Sequence, residues 1–166
     1  LPDRLIVGDS QTILYALTRR HQVPVAGQLS LTVPEGTVQF ARSGVNRLIV
    51  GGGVTYQNFA LGATIDMAQN SIGLGGCGLV LRSQSEDDYA LAFFDSAGGY
   101  GLSVQAQGEF QPGLFSQGLA EGRTHHLLVI ADDTTLYLYV DGTAAGTLVT
   151  PDIPGQVGGA VVNYDA

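Results

Sequence analysis

Apolar and polar residues alternate in short runs along most of this chain. The clearest runs lie between positions 123 and 149, RTHHLLVIADDTTLYLYVDGTAAGTLV. Residues 125–131 are almost wholly apolar and stop at the turn formers Asp132-Asp133-Thr134-Thr135. Residues 136–140 put Leu136, Leu138 and Val140 on one side and Tyr137 and Tyr139 on the other, the period of two that a strand imposes. Asp141-Gly142 follows, a pair suited to a two-residue type I′ hairpin, whose central positions both need positive φ. Residues 143–149 return with small side chains and close before Pro151. This stretch is a β-meander of three antiparallel strands.

The same alternation continues upstream. Residues 4–7 form a short apolar run ending at Gly8. The following DSQTILYALTRRH has two readings: a short helix capped by Asp9 or Ser10, or a strand over 12–17, which the all-β surroundings favour. Residues 28–33 and 37–41 alternate on either side of Pro34-Glu35-Gly36, where proline presets φ for a turn. Further strands are expected at 46–50, before Gly51-Gly52-Gly53, and at 59–67. Residues 78–83 and 89–94 flank the polar loop 84–88, and 95–99 turns the chain into 100–105. Residues 108–122 read as irregular, with Phe110 and Phe115 anchoring the segment to the core. About a dozen short strands spaced about 8–12 residues apart predict a sandwich or barrel, and no βα alternation is present.

The chain has 166 residues, the length of one domain able to bury a substantial core. Its basic residues are seven arginines with no lysine, against 15 acids, for a formal charge of -8. An acidic surface of this kind argues against nucleic acid, whose phosphates demand a basic footprint, and against docking on anionic membranes. No run approaches the ~18 apolar residues of a spanning helix, so membrane insertion is not expected. Cys77 stands alone, which rules out an intrachain disulfide and a cysteine-based zinc site, and fits a small buried hydrophobe. A chain that begins at Leu1 fits a processed secretory precursor or a piece of a longer protein. Residues 156–163 (QVGGAVVN) read as a last strand that a neighbouring chain would complete.

From about residue 45 onward the order of these pieces is similar to the concanavalin A-like (laminin G-like) jelly-roll superfamily. GCGLVLRS at 76–83 resembles its glycine-then-aliphatic strand ending in arginine. DYALAFFDSAGGYGLSV at 88–104 resembles its central hairpin, and HHLLVIADDTTLYLYVDGTAAGTLV its strand–turn–strand unit with Asp141-Gly142 at the turn. The glycine-rich GQVGGAVVN at 155–163 resembles the strand that follows. The first 45 residues do not share the pattern, and the tryptophans common in the superfamily are absent. The resemblance implies an all-β, two-sheet antiparallel β-sandwich with one concave face. It further implies a carbohydrate- or protein-binding module, with glycosidases the minority activity.

Each residue suited to chemistry also has an ordinary structural role open to it. The superfamily's glucanases carry Glu-x-Asp-x-(x)-Glu on one strand, and Glu35, Glu86, Glu109 and Glu121 are instead scattered. His125 and His126 are adjacent on a strand, face opposite ways, and cannot chelate one metal together. Asp87, Asp88, Asp95, Asp132 and Asp133 lie at hairpin ends, where hard oxygens can gather around calcium, although aspartate is also a common turn former. Some laminin G-like domains hold calcium on such a rim. Arg82 either pairs with Glu86, Asp87 or Asp88 or sits on the concave face, donating to a sugar or carboxylate. Tyr89, Tyr100, Tyr137 and Tyr139 offer rings with polar tips, suited to sugar stacking, protein contact or packing under a loop.

The expectation is a single β-sandwich domain, non-catalytic, secreted or at the cell surface, that binds a glycan or a protein through Arg82, Tyr89, Tyr100, Tyr137 and Tyr139. The competing expectation is a structural subunit of an extracellular assembly (a filament, surface layer or larger complex) packing through strand edges. Low charge and abundant Gly, Ala and Val favour the latter.

Overall fold

The computed structural model describes residues 43–67, 75–119 and 123–163, together with the backbone of 4–7 and 15–18. Twelve strands and no helix occur among the described residues. They are β1 (Arg4–Val7), β2 (Tyr15–Thr18), β3 (Gly44–Val50), β4 (Phe59–Asp66), β5 (Gly75–Ser83) and β6 (Tyr89–Asp95). The remainder are β7 (Gly99–Ala106), β8 (Glu109–Gln117), β9 (Thr124–Asp132), β10 (Thr135–Val140), β11 (Thr143–Val149) and β12 (Gln156–Asn163). Every pairing is antiparallel. A six-stranded sheet has the order β3-β12-β5-β6-β7-β8, a four-stranded sheet the order β11-β10-β9-β4, and β1 pairs with β2. The expected strands at 28–33 and 37–41 lie outside the described residues, as does the choice between helix and strand over 9–14.

Alternation decides which side chains meet. The six-stranded sheet turns Leu79, Leu81, Ala90, Ala92, Phe94 and Leu102 inward. The four-stranded sheet answers with Leu127, Val129, Ala131, Leu136, Leu138 and Val140, and the two sets form one buried core. Cys77 packs half-buried at its margin, and burial pushes its thiol pKa up, as a small core residue requires. His125 faces this core while His126 faces outward, where its Nδ1 lies 2.7 Å from the Thr64 hydroxyl.

Two expectations are corrected by the pairing. The segment read as irregular is strand β8, and Phe110 and Phe115 stand 53 % and 56 % exposed instead of anchoring the core. Glycine and proline at 112–113 hid the strand, because a register shift on β8 opposite Ser103 accommodates them. The last strand is not left for a neighbouring chain. β12 lies between β3 and β5 and pairs with both, so its two neighbours come from residues of this chain far apart in sequence.

Arg82 ties one end of the sandwich together. Its side chain is buried, its φ is 51°, and its partners come from three distant loops. The guanidinium donates to the Thr150 hydroxyl (3.1 Å) and to the carbonyls of Pro151 (2.7 Å), Gln57 (3.2 Å) and Asp133. Asp152 lies 3.8 Å away as its counter-charge. Burial lowers the Arg82 pKa, while Asp152 and Asp133 oppose that shift, so the charge survives where it is. Neighbouring bonds reinforce the junction, with Asn58 and Asp133 bonded reciprocally and Gln57 donating to Asp152.

The opposite end is latched by Asp141. The turn residues Asp141 and Gly142 have φ of 49° and 77°, as the hairpin reading requires. The Asp141 N–H donates to the His126 carbonyl (2.9 Å), and its carboxylate accepts the His126 N–H (2.8 Å). The same carboxylate lies 2.7 Å from Nδ1 of His125, whose ring packs edge-on against Phe94 at 4.9 Å.

Replacing Arg82 with Met should lower stability by about 2–4 kcal/mol in urea unfolding, because one buried and three part-buried acceptors lose their donor and Asp152 its counter-charge. Lysine should recover little, since a point charge cannot reach four diverging oxygens. At Asp141, burial would raise the pKa, but the His126 N–H and the His125 ring outweigh it and hold the carboxyl below its ordinary 3.8. A depressed folded pKa contributes stability above the unfolded value, lost as pH falls through the folded one. The stability gap between wild type and Asp141→Asn should therefore be largest near neutrality and shrink below pH 3.8. A gap that is constant with pH would show that the carboxylate charge is irrelevant to the latch.

Candidate functional site

The five residues expected to bind ligand do not form one surface. Arg82 is spent on the loop junction and pairs with Asp152 rather than with Glu86, Asp87 or Asp88. Tyr89 lies on the outer face of the six-stranded sheet but is only 5 % exposed. The Arg47 guanidinium covers its ring at 4.7 Å, and Arg47 is itself held by the Ser83 hydroxyl (2.9 Å) and the Ser85 carbonyl (2.7 Å). Burial pushes the Tyr89 pKa up, a shift that nearby Arg47 opposes. Tyr100 turns inward and packs on the inter-sheet core. Tyr137 and Tyr139 lie on the outer face of the other sheet, packed against Leu128, Ile130 and Ala60. Strand parity gave each ring's side, but not what covers that side.

The five aspartates expected to hold calcium are likewise dispersed. Asp87 and Asp88 precede β6 and Asp95 ends it, so they lie roughly 24 Å apart along the strand. Each has a local task. Asp88 accepts from the Gln107 N–H (3.0 Å) and the Ser85 hydroxyl (2.8 Å), which hold its pKa down. The Asp87 carbonyl accepts the Gly108 N–H at 3.0 Å. Asp95 accepts the N–H groups of Ala97 (2.9 Å) and Gly99 (2.8 Å), closing its turn. Asp132 ends β9, and Asp133, with φ of 46°, forms the next turn and gives its carbonyl to Arg82. Among the described residues no three His, Cys, Asp or Glu side chains come together in a way that could hold a metal.

An aromatic shelf that sequence reading missed lies on the outer face of β6, β7 and β8. The register sets Gly78, Phe93, Gly101 and Phe115 side by side across four strands. Phe93 and Phe115 stack over the glycine strand with centroids 6.3 Å apart and planes 25° from parallel. Gly101 has to be glycine: an added Cβ would run into the Leu114 carbonyl oxygen. At Gly99 an added Cβ would lie 3.0 Å from the Phe115 ring, so these glycines let the ring lie close to the sheet. Further along β7, Ser103 and Gln105 share this face, with Phe110 opposite Gln105. The Gln105 amide is oriented by a 2.8 Å bond to the Gly108 carbonyl. The available signal was the pairing of glycines on β7 with phenylalanines on either side, legible only once the register is known.

No protein-family model matches the chain, and no curated protein is recognisably similar to it in sequence. Solved structures are similar in fold. A carbohydrate-binding module, CBM66 from Bacillus subtilis, superposes with a TM-score of 0.61 at 16 % identity, over 74 % of this chain and 80 % of that one. A Bacillus licheniformis beta-glucanase matches with a TM-score of 0.51 at 14 % identity, over 66 % of this chain and 55 % of the glucanase. Sheep galectin-11, solved in complex with glycerol, matches with a TM-score of 0.51 at 6 % identity, over 76 % of this chain and 93 % of that one. Two antiparallel sheets stacked on one core, with these three as structural neighbours, make the fold a concanavalin A-like jelly-roll sandwich.

Proposed function

We propose that this chain is a non-catalytic glycan-binding module acting outside the cell, with the Phe93–Phe115 shelf as its ligand surface. The observation that carries the reading is an exposed phenylalanine, Phe115, stacked on Phe93 over a glycine-lined sheet, with Ser103 and the oriented Gln105 amide further along the same face. The C–H face of a sugar ring stacks on such an aromatic, while hydroxyls take the neighbouring polar groups. The fold neighbours support the ligand class, since one is by name a carbohydrate-binding module. Five of the described carboxylates have structural tasks: Asp66 with Arg123 and Thr124, Asp88 and Asp95 in turns, Asp141 in its latch and Asp152 beside Arg82. No helix among the described residues is long and apolar enough to cross a membrane.

Assembly through strand edges is the second reading, favoured by exposed Leu48 on the edge strand β3 and exposed Val149 on the edge strand β11. At the β8 edge it is disfavoured, because Pro112 has no N–H to offer an added strand.

Two measurements check these readings. On an immobilised panel of neutral polysaccharides, Phe115→Ala should lose roughly tenfold or more in affinity while keeping its thermal midpoint, because the removed ring is largely exposed. Unchanged retention of the variant would remove the shelf as the site. In light scattering the chain should remain a monomer, whereas a mass that grows with concentration and collapses on Leu48→Glu or Val149→Glu would favour assembly.

A further inference from the structure

The outer face of β7 and β8 carries a second exposed ring, in line with the first. Gly101 lies opposite Phe115 and Gln105 opposite Phe110, with Ser103 between them on the same side of β7. Four residues of extended strand span about 14 Å. The register shift between Leu102 and Val104 gives β8 one residue more than β7 here, and this keeps both phenylalanines on the outer face. Phe110 and Phe115 are therefore two stacking points along one strand direction, separated by more than two linked pyranose rings, with the Ser103 hydroxyl between them and the oriented Gln105 amide beside Phe110.

The stripe also presents no cation among the described residues. The side chains that form it are Phe93, Phe115, Phe110, Ser103 and Gln105, with the Asp95 carboxylate next to the Phe115 ring at Gly99. The described arginines are engaged away from it: Arg47 on Tyr89 and the 83–85 backbone and hydroxyl, Arg82 at the loop junction, Arg123 with Met67 and Asp66. With a formal charge of -8 the chain repels carboxylated or sulfated sugars, and among the described residues the stripe carries no cation to hold them.

From these two features we infer that the ligand is an extended neutral oligosaccharide of at least three sugars, laid along β7 and β8 with its ends stacked on Phe115 and Phe110. This rests on the reading of the shelf as the glycan site and adds the length, direction and charge of what binds there. Single terminal sugars reach one ring only. Chains reach both rings without new ordering of the protein, since both platforms and the Gln105 amide are already in place.

Calorimetric titration tests this with ladders of one to six units of β-1,4-glucan, β-1,3-glucan, β-mannan, β-2,1-fructan and, as the acidic counterpart, polygalacturonate. On the neutral ladder that binds, affinity should rise about tenfold between disaccharide and tetrasaccharide and then level off. Phe110→Ala should erase that rise, whereas Phe115→Ala should weaken binding roughly tenfold or more at every length. Affinity independent of length, or a Phe110→Ala loss equal at every length, would overturn the extended ligand while leaving the shelf as the site. Tighter binding of polygalacturonate than of every neutral ladder would overturn the neutral class. Binding to none of the ladders would overturn the shelf and the chain together.

Discussion

Everything in this molecule depends on the burial of one face of each of two sheets against the other. Twelve leucine, valine, alanine and phenylalanine side chains, drawn from β5, β6, β7, β9 and β10, supply that layer. None of these strands is stable alone, because its backbone groups need neighbours and its apolar face needs cover. The hydrophobic term is non-directional and would accept several arrangements of such strands. The choice among them falls to pairing register and to the polar junctions at the two ends.

Those junctions are unlike in character. At one end the Arg82 guanidinium is removed from water and compensated by carbonyl oxygens from loops that follow β3, β9 and β11. A buried charge tolerates few alternatives, so it specifies which loops must meet as well as holding them. At the other end Asp141 binds its own hairpin to the first residues of β9 through short, local bonds. One junction organises contacts distant in sequence, and the other sharpens a register that the Asp-Gly turn already favours.

With the inner faces committed to the core, the side chains left open to solvent are those of the outer faces, the edges and the loops. Much of the outer face of the six-stranded sheet is itself packed, with Val80, Leu91, Ala160 and Val162 buried beside Tyr89. Exposure of large rings begins toward β8, where the strand is an edge of the sheet and glycines on β7 leave room for phenylalanine. A shelf at a sheet margin is open along the strand direction, which is why its geometry bears on the length of a ligand as well as on its chemistry.

By itself the sequence determined the all-β class, the meander from β9 to β11, the Asp141-Gly142 turn and the opposite facing of His125 and His126. All of these follow from local rules: a period of two along each strand and the positive φ that the turn demands. Only the tertiary structure decided the rest. From sequence β12 reads as a strand without a partner in this chain, because nothing local says that residues 44–50 lie on one side of it and 75–83 on the other. Arg82 and the tyrosines were read as a binding set because parity assigns a side, while cover comes from elements remote in sequence, such as Arg47 over Tyr89. Phe110 and Phe115 were expected inside because apolar residues usually are. They are outside because a register shift around Pro112 and Gly113 turns both rings to the face away from the core.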